Sequence, residues 1–148
     1  MTNRHLLDIS YSAILRYYST YVVNALYLLQ RCLKNIKPTS SIIVMSSKAG
    51  SNASYDVHYS AAKSAVENYF RSSAGALAGN QSIIGISCGL VENSRMSLDM
   101  KPKHRESHKN RARGRLITAE ELYSQIWKLI DERTSVKNGK VIHVGPVY

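Results

Sequence analysis

Apolar side chains recur every three or four positions between residues 10 and 37: Leu15, Tyr18, Val22, Leu26, Leu29, Leu33 and Ile36. That spacing predicts one amphipathic helix, with Asp8 or Ser10 placed to cap its start and Pro38 to stop it. The pattern then changes. "SIIVMS" (41–46) is a short β-branched run, the mark of a strand covered on both faces. Residues 47–58 are rich in Ser, Asn, Gly and Asp and read as a loop. A second helix fits 59–78, its apolar face formed by Ala61, Ala62, Ala65, Val66, Tyr69, Phe70, Ala74 and Leu77, and Gly79-Asn80 ends it. "SIIGIS" (82–87) predicts a second buried strand, and "CGLVENSRM" a turn leading out of it. Thr118 and Glu121 have the spacing of a capping box. The helix they open runs to about Glu132, with Leu122, Ile126, Leu129 and Ile130 inward. "NGKVIHV" (138–144) reads as a third strand behind an Asn-Gly turn.

Helices and strands thus alternate, which implies right-handed crossovers and a parallel sheet. The fold class is α/β. A length of 148 residues suits a single domain over 1–148. No apolar run reaches the ~18 residues of a membrane span, and the start lacks the apolar core of a secretory signal. A soluble, cytoplasmic protein is expected, with Cys32 and Cys88 as small buried thiols in a reducing compartment. No metal site is indicated. The net charge of +10 is uneven: residues 101–115, "KPKHRESHKNRARGR", hold seven Lys or Arg against one acid, Glu106. Such a run is either a solvated loop or a contact for an anionic substrate, a nucleic acid or an acidic partner.

The chemistry concentrates in "SSKAGSNASYDVHYSAAKSAV" (46–66). Tyr59 and Lys63 are four apart on a helix and share a face. A free tyrosine is a poor acid–base group at neutral pH, but an ammonium nearby favours the phenolate and lowers its pKa. Ser47, ending the first strand, can hydrogen-bond a carbonyl oxygen. This trio would move a proton to or from an alcohol oxygen while hydride leaves or joins its carbon. Tyr55 has no lysine at i+4 and reads as a loop residue. A bare Tyr-x-x-x-Lys match is weak, and the surrounding order of strand, Ser-Ser, loop and helix is what strengthens it.

In that order the sequence resembles the short-chain dehydrogenase/reductase family. "SIIVMSS…HYSAAKSAVENYFRSSAGALA" is similar to the family's fifth strand and catalytic helix, "IIGISCGLVENSRM" to its sixth strand and the turn that meets nicotinamide, and "GRLITAEELYSQIWKLI…NGKVIHV" to its next helix and last strand. The resemblance implies a partial Rossmann-type, doubly wound parallel sheet of about three strands with flanking helices. It implies that Ser47, Tyr59 and Lys63 are catalytic, with Asn24 the candidate for the family's fourth catalytic residue. It implies NAD or NADP as cofactor, held by Tyr59, Lys63, Gly89, Val91 and Ser94. Cys88 stands where the family has proline, and Asn93 or Ser94 stands for its nicotinamide-contacting threonine. The basic stretch 101–115 falls on the family's variable substrate loop, so a phosphorylated, sulfated or carboxylated alcohol or carbonyl is the implied substrate.

One part of the family pattern is absent. No Gly-x-x-x-Gly-x-Gly or Gly-x-Gly-x-x-Gly occurs in the 148 residues, and it is this turn that cradles the dinucleotide phosphates. The expectation is therefore a C-terminal, catalytic-side portion of such an enzyme. The competing expectation is a catalytically silent relative, assembling with itself or a partner chain through helices 10–37 and 59–78. Nucleic acid is a weaker reading of the charge, and no membrane association is expected.

Overall fold

Ser10 caps the first helix, its Oγ accepting the amide of Ala13 at 3.3 Å. In the computed structural model, which describes residues 9–52, 54, 56–131 and 138–145, that helix is not continuous. It comprises α1 (Tyr11–Tyr18), a π-helical turn (Ser19–Val23) and α2 (Asn24–Lys34). The π turn adds one residue to a turn and shifts the helical phase of α2 relative to α1. One apolar stripe therefore does not run through both halves. Leu29 is buried, whereas Leu15 is 50% exposed.

The strands are β1 (Ser41–Ser47), β2 (Ser82–Cys88) and β3 (Val141–Val144), in the order β1-β2-β3 and parallel throughout. Ser41 pairs with Ser82 and Ser47 with Cys88, while Gly85 pairs with Val141 and Cys88 with Val144. Between β1 and β2 the chain forms the short α3 (Lys48–Ser51) and the long α4 (Val57–Ser73), which ends in a 3₁₀ turn. Between β2 and β3 come α5 (Arg95–Leu98), α6 (Pro102–Arg111) and α7 (Ala119–Asp131). The basic run is thus largely helix, not loop. The Thr118 capping box is closed: Thr118 Oγ1 accepts the Glu121 amide at 3.2 Å and Glu121 Oε2 accepts the Thr118 amide at 2.9 Å.

Period-two alternation along β2 builds two cores. Ile84 and Ile86 face one side, with Ile117, Leu129 and Val144. Ile83 faces the other, with Phe70, Leu29 and Val141. α4 and α2 cover the second face and α7 the first. The strands progress across the sheet in one direction while α4 and α7 lie on opposite faces. The two crossovers therefore have opposite hands, and the right-handed rule expected from sequence holds for only one of them. The long excursion over residues 89–118 gives the second connection the reach to do this.

Other expectations also change. β2 is buried along Ser82–Ser87, as its unbroken apolar run requires, but β1 is an edge strand on which Met45 is 40% exposed. Ile130 is exposed on α7, as are Ala61 and Ala65 on α4, and Cys32 lies in the open on α2. Cys88 is only half-buried. Tyr55 and the end of "VGPVY" lie outside the described residues. The Asn-Gly turn is tied in at three points: Asn138 Oδ1 accepts the Ile83 amide at 2.9 Å, its Nδ2 donates to the Ala74 carbonyl at 2.8 Å, and the Gly139 amide donates to the Ile83 carbonyl at 2.8 Å. Gly139 sits at φ +76°, where a side chain would be strained.

The tip of the Phe70 ring points at Gly85, and a methyl there would overlap its Cζ. Gly85→Ala is expected to destabilise the protein by about 1–3 kcal/mol through overpacking. Urea unfolding measures this, and a stability equal to wild type would refute the packing described.

Candidate active site

Alternation at the end of β1 sends Ser46 toward α4 and Ser47 toward a cavity of about 800 Å³ at the carboxyl ends of β1 and β2. Ser46 is buried, and its Oγ donates to Glu67 Oε2 at 3.0 Å. Glu67 Oε1 pairs with Arg71 at 3.3 Å, and the carboxylate is itself buried in α4. Ser60 Oγ donates to the Ala49 carbonyl and Ser64 Oγ to the Gly50 carbonyl, each at 2.6 Å. These bonds fix α3 to α4 and so set where α4 begins. Asp56 caps that start, its Oδ1 accepting the Tyr59 amide at 2.9 Å.

Tyr59 is therefore held in the first turn of α4, facing the cavity. Its phenol hydrogen-bonds the Ser47 hydroxyl, which also accepts the Ala49 amide at 3.2 Å. Burial raises the Tyr59 pKa, and the Ser47 bond opposes the rise without cancelling it. Lys63 lies one turn further on, with Nζ 5.7 Å from the Tyr59 ring centroid. It donates to the Met45 carbonyl at 3.4 Å rather than to the phenol. Its own pKa is lowered by burial. The ammonium was expected to pull the tyrosine down. In this arrangement burial sets the direction and Lys63, which is directed at β1, is not among the groups that shift Tyr59.

The turn after β2 closes the cavity. Gly89 and Val91 line it, as does Ser94, whose Oγ donates to the Val91 carbonyl at 2.7 Å and accepts the Ser97 amide at 3.2 Å. Ser94 is thus engaged in its own turn. Asn93 is exposed and does not reach the cavity. The two ends of the following excursion are joined where Glu92 N donates to the Ile117 carbonyl at 2.8 Å. Asn24 is exposed at the start of α2 and does not line the cavity. The helical wall is made instead by Tyr17, Thr20 and Tyr21, and Tyr21 meets Tyr59 edge-on at 6.1 Å. The π turn produces this presentation, and helical periodicity alone gives no signal for it. His58, beside Tyr59, packs edge-on against Tyr18 at 5.9 Å, with a buried Nε2 that has no partner. Lys48, which was not anticipated, also lines the cavity, as do His104, His108 and Arg111 of the basic stretch expected at the substrate loop.

Tyr59 and the Gly89–Val91 turn line one cavity, and these are the residues that would hold the reacting end of a nicotinamide cofactor. The residues that would cradle its phosphates are a different matter: the Gly-rich turn is not in this sequence. Among the described residues no cluster is arranged to hold a metal ion, and no helix is long and apolar enough to cross a membrane.

Comparison with known proteins agrees with the fold and the order of these elements. Residues 1–145 match the family model described as enoyl-(acyl carrier protein) reductase. The chain belongs to the short-chain dehydrogenase/reductase family. A search of the curated proteins finds no significant match. Among solved structures, it resembles the promiscuous reductase LugOII, described as catalysing keto-reduction at C1 during lugdunomycin biosynthesis, at 24% identity and TM-score 0.79 over 93% of this chain and 55% of that one. It resembles the angucycline C-6 ketoreductase LanV with bound NADP at 19% identity and TM-score 0.80, over 93% and 54%. A Brucella melitensis short-chain dehydrogenase/reductase, described as a glucose/ribitol dehydrogenase, gives 26% identity and TM-score 0.76 over 97% and 57%. The chain spans little more than half the length of each.

Because burial dominates, Tyr59 is expected to ionise above the ordinary tyrosine value near 10. Ser47→Ala removes the one hydrogen bond that opposes this and is expected to move the ionisation higher still. Titration of the ¹³Cζ tyrosine resonances, with Tyr59→Phe assigning the signal, checks both. A shift to lower pH in Ser47→Ala would overturn the assignment of that bond.

Proposed function

We propose that this chain is the catalytic-side portion of an NAD(P)-dependent oxidoreductase that interconverts an alcohol and a carbonyl compound. The observation that carries the reading is that Ser47 and Tyr59 line one cavity wall with Lys63 Nζ 5.7 Å from the Tyr59 ring. LanV, a ketoreductase of the same fold, has NADP bound. When bound, the nicotinamide supplies or accepts the hydride.

The chain's own residues handle the proton. Burial keeps the Tyr59 phenol protonated at neutral pH, so it is ready to donate to a carbonyl oxygen. The resulting phenolate accepts from the Ser47 hydroxyl. It also sits in the first turn of α4, where the helix dipole favours negative charge. Ser47 orients the carbonyl oxygen, and Lys63 supplies positive charge near both the ring and the cofactor ribose. Tyr21 and Leu90 line the cavity beside the phenol. The Gly89, Val91 and Ser94 turn serves as the nicotinamide contact, and Asn24, which faces solvent, serves only if α2 repacks. A high Tyr59 pKa has a directional consequence. Reduction needs the phenol and stays level with pH until the phenol ionises. Oxidation needs the phenolate and rises with pH throughout the neutral range.

Assembly through α1–α2 is part of the same reading. Val23, Tyr27 and Leu28 are all more than half exposed, an apolar surface of the kind that pairs between subunits. Changing Tyr27 and Leu28 together to Glu is expected to convert a dimer to monomer in sedimentation velocity. A wild-type protein that sediments as a monomer disposes of this arm.

Tyr59→Phe is expected to lower kcat for aldehyde or ketone reduction by about 10²–10⁴-fold, the usual contribution of a positioned acid. Oxidation of NADH and NADPH is followed by the loss of reduced-nicotinamide absorbance. Unchanged turnover in Tyr59→Phe would refute the proposal, as would the absence of calorimetric binding of either cofactor at millimolar concentration.

A further inference from the structure

Four rings line the cavity together: Tyr17 and Tyr21 from the helix that precedes β1, and His58 and Tyr59 from the start of α4. Tyr17 lies on Tyr21 with 4.6 Å between ring centroids and 35° between ring planes, and Tyr21 meets Tyr59 edge-on at 6.1 Å. Tyr17 also contacts Tyr18 at 6.1 Å and His58 at 6.2 Å. Each separation falls within the range of favourable aromatic pairs, about 4.5–7 Å. The rings thus form a connected series that ends on the phenol of the proposed acid.

Core packing does not explain the arrangement. Neither Tyr17 nor Tyr21 belongs to the two clusters that pack on the sheet, and Tyr21 remains 42% exposed. Tyr21 also sits inside the π turn Ser19–Val23, a local insertion of the kind that recurs at functional sites. Burial, then Asp56 and the adjoining tyrosines, hold the Tyr17 phenol above the usual tyrosine range, so this part of the wall carries no charge at neutral pH. Ala13, Leu90 and Val91 add apolar contact in the same cavity.

We infer that Tyr17 and Tyr21 form an aromatic-recognition wall beside Tyr59, and that the substrate is a ketone or aldehyde whose carbonyl is bonded to a planar aromatic ring. The inference rests on the oxidoreductase reading for the carbonyl end alone. The carbonyl oxygen meets Ser47 and Tyr59, and the ring attached to it lies against Tyr21, with Tyr17 behind. A flat ring presents a face or an edge to Tyr21, whereas a saturated ring of the same size is puckered and has no π face to offer. Tyr18 and His58 support Tyr17 from the other side, so the wall is in place before a ligand arrives. A cavity of about 800 Å³ has room for two fused rings.

The test is calorimetric and requires no turnover. Two ketones share one carbon skeleton and differ only in saturation: 2-acetylnaphthalene and 2-acetyldecalin. The saturated probe is the more apolar, so burial alone favours it. Wild type is nevertheless expected to bind the naphthyl ketone about five-fold or more tighter, as one or two good aromatic pairs provide. Tyr21→Leu keeps an apolar side chain and removes the ring, and it is expected to cut this ratio by about two-fold or more. Tyr17→Leu with Tyr21→Leu is expected to bring the two ketones within about two-fold, and Tyr21→Phe to retain the preference. Tyr21 lies outside both cores, and circular dichroism checks that each variant keeps the fold. Equal binding of the two ketones by wild type overturns the inference, as does tighter binding of the decalin or no binding of either. A ratio that Tyr21→Leu leaves unchanged overturns it too. Preference for the naphthyl ketone without NAD(P)H oxidation defeats the oxidoreductase reading and leaves this one standing. Turnover of both ketones with equal affinity does the reverse.

Discussion

The site depends on how closely β1 can lie against α4, and a buried carboxylate sets that distance. Glu67 receives the Ser46 hydroxyl on one oxygen and Arg71 on the other. Ser46 is bonded through the backbone to Ser47, and Glu67 lies one turn past Lys63 and two past Tyr59. One helix face therefore presents tyrosine, lysine and the carboxylate in register with two successive serines of the strand. Gly50 permits the approach: a Cβ there would stand 3.2 Å from Glu67 Oε2 and 3.3 Å from the Lys63 backbone. A buried carboxylate is costly unless fully partnered. Here its partners adjoin the residues of the proposed chemistry, so the electrostatic constraint also serves as an alignment device.

How legible this was from the residues differs between elements, for physical reasons. The three strands, α4 and α7 were readable because each is driven by a local pattern: unbroken β-branched runs, a 3.6-residue stripe, and a Thr118–Glu121 box that closes on itself. Ser47, Tyr59 and Lys63 lie near one another because strand, loop and helix fix their mutual placement, although Lys63 is directed at the Met45 carbonyl. The burial of Glu67 was not readable, since a glutamate on a helix face reads as solvated until the partner strand is known. The edge character of β1 is likewise a property of the sheet. "SIIVMS" is as apolar as the buried "SIIGIS", and only the strand order separates Met45 from Ile86.

The helix before β1 shows where periodicity misleads. A single π turn at Ser19–Val23 costs no apolar residue and breaks no motif, yet it rotates everything upstream relative to everything downstream. Leu15 turns outward, and Asn24, the candidate from resemblance, points to solvent. Tyr17, Thr20 and Tyr21 take the cavity wall. A similar limit applies to the basic run. Its composition allowed a solvated loop, and nothing local forces "PKHRESHKNR" into a helix. The turn at Asn93, with φ +57°, and the Val91–Ile117 bridge confine the excursion instead.

Burial acts on the two central side chains in the same sense chemically and in opposite senses on the pH scale. It raises the phenol of Tyr59 and lowers the ammonium of Lys63, favouring the neutral form of each. Cys88 is also raised by burial, and the nearby Lys63 and Lys48 only partly offset it. The reacting end of the site thus favours uncharged groups, which suits the exchange of a proton with a neutral oxygen.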